Sequence, residues 1–396
     1  METENHDQTS RAGRYIRQIG GYRAFVPKPL PPSPPLHVDD ELLGLLSRAD
    51  QALGRLDASA AMLPNPDLFV RMYVRKEAVL SSQIEGTQAS LTDVLEYEAS
   101  VARRRRRSDA SEVVNYVKAM NFGLERLGQL PLSNRLIREI HAQLIQGVRG
   151  QHSSPGEFRS TQNWIGPPGC DLSTAAFVPP TPHEMQLAMG ELEGFIQKED
   201  SNVPSLIKIG LIHSQFETIH PFLDGNGRMG RLLITFFLCQ QGVLKRPLLY
   251  LSAYFKEQRE QYYGLLQAVR DSGAWEQWLK FFLTAAWHVS RDASETARRI
   301  IRMREQHRQA IQAGVPGSVK GVELLDHLFE HPYITVGQAA GIVNISQPTA
   351  NNLVRRLSDL GILREITGQR RGRIFKYEPY LELLEAGIQA RTPNGM

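Results

Sequence analysis

A mainly α fold is what this sequence predicts, and three observations carry the prediction. Apolar residues recur at helical spacing through Asp39 to Leu56, Pro66 to Ile84 and most of 108 to 313. One segment, Gly156 to Pro182, departs from that pattern; rich in Gly, Pro, Thr and aromatic residues, it reads as two short strands with a loop. Past the linker-like Gly314-Val315-Pro316-Gly317-Ser318, the chain turns to helix, turn, helix and a basic hairpin. With 396 residues there is chain enough for two or three domains with sizeable cores.

Three parts follow in order, with no internal repeat: 1–107, 108–313 and 318–388. Residues 1 to about 36 read as extended, ending in the proline-rich Pro27 to Pro35, a polyproline II strap wrapped on the fold. The two helices over 39–56 and 66–84 come next, and the run Arg103 to Arg107 interrupts the helices as a solvated loop. The helical core occupies 108–313. Beyond the linker, Val319 to Glu330 is a helix, Thr335 caps Val336 to Ala340, and Asn344-Ile345-Ser346 turns into a second helix, Gln347 to Leu360, ended by Gly361. Ile362 to Ile366 and Arg373 to Tyr377 flank the turn Gln369 to Gly372. Together these resemble a winged helix-turn-helix. Between 355 and 376, seven cationic residues (Arg355, Arg356, Arg364, Arg370, Arg371, Arg373 and Lys376) face only Asp359 and Glu365. An excess of five positive charges is the footprint of phosphate contacts, so DNA is a candidate partner, with protein docking as the alternative.

Composition excludes several classes. A hydrophobic content of 41% and a mean hydropathy of −0.32 are those of a globular chain. No apolar run approaches the span of a bilayer. The opening METENHDQTSRAGRY is polar and mixed in charge, which reads as no signal peptide and a cytoplasmic location. Cys170 and Cys239 are far apart and suit neither a disulfide framework nor a zinc site. The net charge of +4 is modest, so local charge matters more than the total.

Function is concentrated in residues 220–231, HPFLDGNGRMGR, followed by the apolar run Leu232 to Leu238. Pro221 suits a turn, and Gly225 and Gly227 let backbone approach a ligand closely. A loop feeding a helix N-terminus aims N–H groups and a positive dipole end at an anion, the usual solution for phosphate. This string resembles the signature of the Fic (Fic/Doc) family, His-x-Phe-x-Asp/Glu-Gly-Asn-Gly-Arg-x-x-Arg, at every defined position. The resemblance implies a Fic-type helical core with a small β-hairpin flap, and transfer of AMP from ATP to a protein hydroxyl (Tyr, Ser or Thr) with release of pyrophosphate. His220 is then the base and Asp224 the ligand for Mg2+. Gly225, Asn226 and Gly227 form the anion nest, and Arg228, Met229, Gly230 and Arg231 continue the ATP site. In the family the second arginine, here Arg231, grips the γ-phosphate.

Ser81-Ser82-Gln83-Ile84-Glu85-Gly86 resembles the family's inhibitory motif, Ser/Thr-x-x-x-Glu-Gly/Asn, at Ser81, Glu85 and Gly86. A carboxylate on a helix can occupy the guanidinium that ATP needs, since Arg–carboxylate pairs are bidentate and directional. Glu85 on Arg231 would block the γ-phosphate, with Ser81 orienting the glutamate. Gly21-Tyr22, Ala24 to Pro27 and Glu77-Ala78 resemble the N-terminal region of many bacterial Fic proteins. Phe158-Arg159, Asn163 to Gly166 and Phe177 to Pro180 resemble the flap, whose strand edge can hold a target peptide. Tyr262 and Tyr263 fall where the family places nucleotide contacts, and Arg270 where relatives carry a polar adenine contact.

Other readings compete. A kinase-like Fic branch that transfers phosphate replaces the second glycine with lysine and lacks the final arginine; Gly227 and Arg231 argue against it. Phosphocholine transfer and removal of AMP are further variants, and a DNA-binding regulator whose core acts chiefly on itself is the third class. The partners implied are ATP, protein targets or the chain itself, DNA, and a second copy in a homodimer, with no membrane.

Overall fold

The computed structural model describes residues 10–61, 66–98, 109–147, 154–167, 169–198, 203–315, 318–369 and 372–386. The five-arginine run 103–107, together with Arg370 and Arg371, lies outside them.

The N-terminal stretch is not simply an extended strap. Strands β1 (Gly13–Arg17) and β2 (Arg23–Pro27) pair antiparallel, Tyr15 opposite Phe25, around a turn in which Gly21 takes φ 84°. The pairing was invisible in the sequence because Phe25 and Ala24 are both fully buried, which breaks the alternation expected of a half-exposed strand. Strapping holds for the prolines that follow: Arg11 donates to the carbonyls of Pro34 and Pro35, each at 3.1 Å.

Helix α1 (Asp40–Ala61) extends past the predicted Leu56. Asp39 caps it, accepting the Leu42 N–H at 2.8 Å. Then come α2 (Pro66–Ile84), with the predicted bounds, α3 (Leu91–Glu98), α4 (Asp109–Leu127) and α5 (Asn134–Ile145). After the 156–181 segment follow α6 (Pro182–Gln197), α7 (Ser205–Ile219), α8 (Asn226–Gln240), α9 (Ser252–Glu257), α10 (Arg259–Ser272) and the long α11 (Trp275–Gly314). Helices α7 and α8 are buried on every side, from Leu206 to Ile219 and through most of 226–238. Helices buried all round in this way stand at the centre of the core. Here α4, α5, α6, α10 and α11 surround the pair, and α1 lies along α11. The loop between the two central helices therefore sits on a rigid base.

The C-terminal unit runs α12 (Ser318–Glu330), β3 (Tyr333–Thr335), α13 (Val336–Ile342), α14 (Gln347–Asp359), β4 (Arg364–Glu365), β5 (Ile374–Lys376) and α15 (Glu378–Ala386). Its antiparallel sheet has the order β3-β5-β4. Thr335 and Gln338 form a reciprocal capping box, and Ser346 caps α14. The hairpin strands are shorter than the predicted 362–366 and 373–377, since Ile362 and Leu363 turn into the core instead of pairing. Strand β3 and helix α15 had no sequence forecast. The unit packs on α11 and on α2. No helix among the described residues is long and apolar enough to cross a membrane.

Candidate active site

Helix α7 ends at Ile219, and His220 follows in left-handed backbone, φ 51° and ψ 61°. For a residue with a side chain this costs roughly 1–2 kcal/mol, and neighbouring donors offset it. The His220 carbonyl accepts from Arg159 Nε at 3.0 Å and from Asn163 Nδ2 at 3.3 Å. Arg159, only 2% exposed, also binds the Thr161 and Pro180 carbonyls. His220 Nδ1 lies 3.3 Å from the Glu217 carbonyl, which assigns the proton to Nδ1 and leaves Nε2 as the lone-pair nitrogen. Burial first, and then the Arg270 guanidinium, push His220 down to about 4. At neutral pH the ring is a neutral base.

Gly225 sits at the start of α8 with φ 78°, where a Cβ would meet Ile145 Cδ1 at 2.8 Å. The helix begins at Asn226. Asn226 is placed differently from the nest role expected of its side chain. Its Oδ1 accepts the Phe222 N–H and its Nδ2 donates to the Phe222 carbonyl, both at 2.8 Å, so the amide is consumed in fixing the loop. A second brace escaped the sequence reading. His141 on α5 stacks on Phe222 at 3.7 Å, accepts the Gly156 N–H at Nδ1 (3.0 Å) and donates from Nε2 to the Asp224 carbonyl (2.9 Å). Burial pushes this histidine down to about 4 as well, which keeps that tautomer neutral.

Asp224 Oδ1 accepts the Gly225 N–H at 2.6 Å and lies 3.5 Å from Arg228, while the side chain keeps 39% exposure. Among the described residues no group of three or more His, Cys, Asp or Glu could enclose a metal. A single accessible hard carboxylate suits magnesium, which takes one or two protein carboxylates and completes its shell with water and substrate phosphate.

Residues 81–86 meet the loop from the opposite side. Arg231 is 3% exposed, and Glu85 Oε1 accepts from its Nη2 at 2.7 Å. Ser81 grips the same guanidinium twice: Oγ accepts from Nε at 2.8 Å and the carbonyl from Nη2 at 3.0 Å. The serine thus orients the arginine, not the glutamate as the sequence reading had it. Burial would raise the Glu85 carboxyl, but the charge and hydrogen bond of Arg231 outweigh it and hold it below its ordinary value. A Cβ on Gly227 would lie 2.2 Å from Glu85 Oε1 and 3.0 Å from Arg231 Nη1, so the carboxylate rests directly on the glycine of the nest. Gly86 takes φ 96° with open space around it, and backbone conformation alone accounts for the glycine that ends this helix.

The remaining predicted residues divide. Arg228 is 4% exposed beside Glu112 (3.7 Å) and Asp224, and its Nε and Nη1 have no hydrogen-bond partner among the described residues. Met229 is fully buried, and Gly230 presses on α7, where a Cβ would meet Glu217 Oε1 at 2.4 Å; both serve packing. Tyr262 is a correction. It has no exposure, its hydroxyl bonds His213 Nε2 at 2.9 Å, and it stacks on Phe255 at 4.5 Å, all within the core. Tyr263, 38% exposed, is the accessible member of the pair. Arg270 is also structural: buried, it lies 3.8 Å from the centre of the Phe177 ring and donates to Thr218 and the Glu217 carbonyl, each at 3.2 Å. Among the described residues of the 156–181 segment there is one bridge, Ile165 with Phe177, in place of two strands. Phe25 of β2 takes the next carbonyl, that of Val178, at 2.9 Å.

Comparison with known proteins places this geometry. Residues 43–125 match the Fic/DOC family N-terminal model, and residues 131–238 match the Fic/DOC family model. Two relatives named protein adenylyltransferase Fic, from Drosophila grimshawi and Culex quinquefasciatus, are each 31% identical, over 41% and 34% of this chain. The alignments reach only 30% and 23% of those proteins, less than a third of either. A Fic family protein from Desulfovibrio desulfuricans G20 shares the fold, with a TM-score of 0.57 at 18% identity over 87% of this chain and 97% of that one. The chain thus carries a Fic/DOC family N-terminal region and a Fic/DOC family domain, which meet around one loop and one ion pair.

Proposed function

We propose that the chain is an autoinhibited protein adenylyltransferase, moving AMP from ATP to a hydroxyl side chain of a target protein or of itself. The target oxygen forms a bond to the α-phosphorus, the bond to the bridging oxygen breaks, and pyrophosphate leaves. His220 Nε2 faces this chemistry as a neutral base able to take the hydroxyl proton. The N–H groups at the start of α8 and the Arg228 donors that make no hydrogen bond, Nε and Nη1, are suited to the phosphate oxygens. Asp224 would hold magnesium, which when bound supplies neutralising charge between the phosphates.

The observation that carries the reading is the Glu85–Arg231 pair lying on Gly227. A carboxylate occupies the guanidinium and the helix start that a γ-phosphate needs, and Ser81 holds the arginine in place for either occupant. ATP bound against this carboxylate has no seat for its last phosphate. Incubation with α-labelled ATP, magnesium and cell lysate, comparing wild type with Glu85→Gly, tests it: label should appear on protein with the variant and be faint with wild type. Absence of label with both would sink the activity.

A second reading concerns the C-terminal unit. Helix α14 exposes Asn351, Asn352, Arg355 and Arg356 on one face, and Arg373 of the hairpin reaches Asn351 at 2.8 Å. Polar and cationic groups in that arrangement suit duplex DNA. Binding that weakens steeply with salt supports it, and salt-independent binding removes it.

A further inference from the structure

A guanidinium buried as deeply as that of Arg231 needs acceptors around it, whatever group occupies its front. Glu85, its side chain 35% exposed, is one of them, and it is the one a γ-phosphate must replace. Behind it stands a second carboxyl that the chemistry of AMP transfer does not use. Glu77, Ser81 and Glu85 follow at four-residue steps along α2 and its end, so they stack on one face of the helix. Glu77 is 2% exposed. Its Oε1 accepts from the Tyr116 hydroxyl at 3.4 Å and from the Ser252 hydroxyl, while Oε2 is buried with no hydrogen-bond partner among the described residues. The Tyr116 hydroxyl also interacts with that of Ser81, and Ser81 Oγ accepts from Arg231 Nε at 2.8 Å. A guanidinium can only donate, so the protons run one way: from Arg231 to Ser81, from Ser81 to Tyr116 and from Tyr116 to Glu77. The charge of Arg231 is felt at the far end. Burial, the largest cause, raises the Glu77 carboxyl to about 7, and the Ser252 hydrogen bond and then Arg231 pull it down.

We propose that Glu77 is a positioning residue for Arg231, holding Ser81 through Tyr116 so that the guanidinium stays aimed at the γ-phosphate seat without help from Glu85. The γ-phosphate in this statement rests on the function proposed above; the hold on Arg231 does not. With Glu85 replaced, the guanidinium keeps two acceptors on Ser81, the Oγ and the carbonyl. Only the Oγ can rotate away, and where its own proton goes decides its rotamer. Tyr116 takes that proton because Glu77 takes the next. A proton on Oε2 leaves Oε1 an acceptor, so a neutral amide in the same place serves equally.

Calorimetry with ATP and with ADP, each with magnesium, tests the aim of the arginine in the Glu85→Gly background, since only ATP carries the phosphate that Arg231 meets. Glu77→Ala should weaken ATP about tenfold, the scale of one hydrogen bond to a charged group, and leave ADP within about twofold. Glu77→Gln, which keeps the acceptor, should restore the affinity for ATP. Tyr116→Phe removes only the hydroxyl between Glu77 and Ser81. It should match Glu77→Ala, and it takes the place of that variant throughout if the alanine fails to fold. Unchanged affinity for ATP, equal weakening of ATP and ADP, or a glutamine no better than alanine overturns the proposal. Urea unfolding of Glu77→Ala, Arg231→Ala and the double variant judges the hold on Arg231 apart from any nucleotide. The double loss of stability should fall short of the sum of the single losses, and additive losses overturn the hold. ATP bound no more tightly than ADP by Glu85→Gly itself counts instead against the γ-phosphate seat, and the unfolding cycle then decides the role of Glu77.

Discussion

Replacing Glu85 by glycine should convert a nearly silent protein into an active one, and the structure sets the scale. The carboxylate makes one charge-assisted bond of 2.7 Å to a guanidinium that is almost wholly buried. Hydrogen bonds to charged groups contribute about 1.5–3 kcal/mol. The glutamate side chain is 35% exposed, so solvent screening puts this pair near the lower end. Displacement from the surface of Gly227 adds to it, because a phosphate oxygen cannot share the place that Glu85 Oε1 occupies against that glycine. Together these amount to about 1.4–4 kcal/mol, one to three decades in productive turnover. The assay is transfer of label from α-labelled ATP to the protein itself and to lysate proteins, normalised to folded protein by circular dichroism. Adding Arg231→Ala to Glu85→Gly should abolish the gain, because the freed guanidinium is what ATP recruits. Equal labelling by wild type and Glu85→Gly, both folded, would refute the reasoning and leave residues 81–86 as an ordinary helix end.

Other outcomes follow from the same geometry. His220→Ala should eliminate label transfer in the Glu85→Gly background while ATP binding, followed by calorimetry, changes little; transfer at the parent rate removes His220 from its role. Since His220 is held near 4, its base form persists well below pH 6. Transfer by Glu85→Gly should therefore stay level between pH 8 and 6, where a histidine of ordinary pKa 6.5 would already have lost most of its base form. Asn226→Ala removes both bonds to Phe222 and should cost about 1–3 kcal/mol in urea unfolding, together with ATP binding; an unchanged midpoint contradicts the clamp. Glu217 is buried, and burial raises its carboxyl to about 7. The folded state thus retains a proton that the unfolded state releases near 4.5, and this contribution to stability is lost as pH rises towards 7. Glu217→Gln removes that dependence, so its stability relative to wild type should increase from pH 5 to pH 7.5; a pH-independent difference argues against a protonated Glu217.

What was legible in the sequence was what a short string can hold. The order His220, Asp224, Gly225, Gly227, Arg231 carries its own geometry, because a turn and one helical start fix all five. Pairing Glu85 with Arg231 across 146 positions came from resemblance, since no local rule joins residues so far apart. Arg159 and Asn163 were read only as part of the flap, and His141 not at all, because each acts on a backbone carbonyl, a target with no side-chain signature. Tyr262 and Tyr263 are adjacent and alike, yet a rotation of about 100° around α10 sends one into the core and the other out. Ser81 was placed on the right partner set and given the wrong recipient, a distinction that only the guanidinium's position decides.

If Glu85 inhibits as proposed, the shared seat over Gly227 has a consequence for control. Carboxylate and phosphate both present oxygens to the same donors, so the site cannot be reshaped to admit one without admitting the other. The contest is then one of concentration. Glu85 is a tethered ligand, and its effective concentration is set by how stiffly α2 holds it, of order millimolar even for a short flexible tether. ATP competes as a free solute against that local value. A change that leaves Glu85 and the seat intact but loosens the tether lowers the effective concentration, and turns the protein on without touching a single atom of the active site.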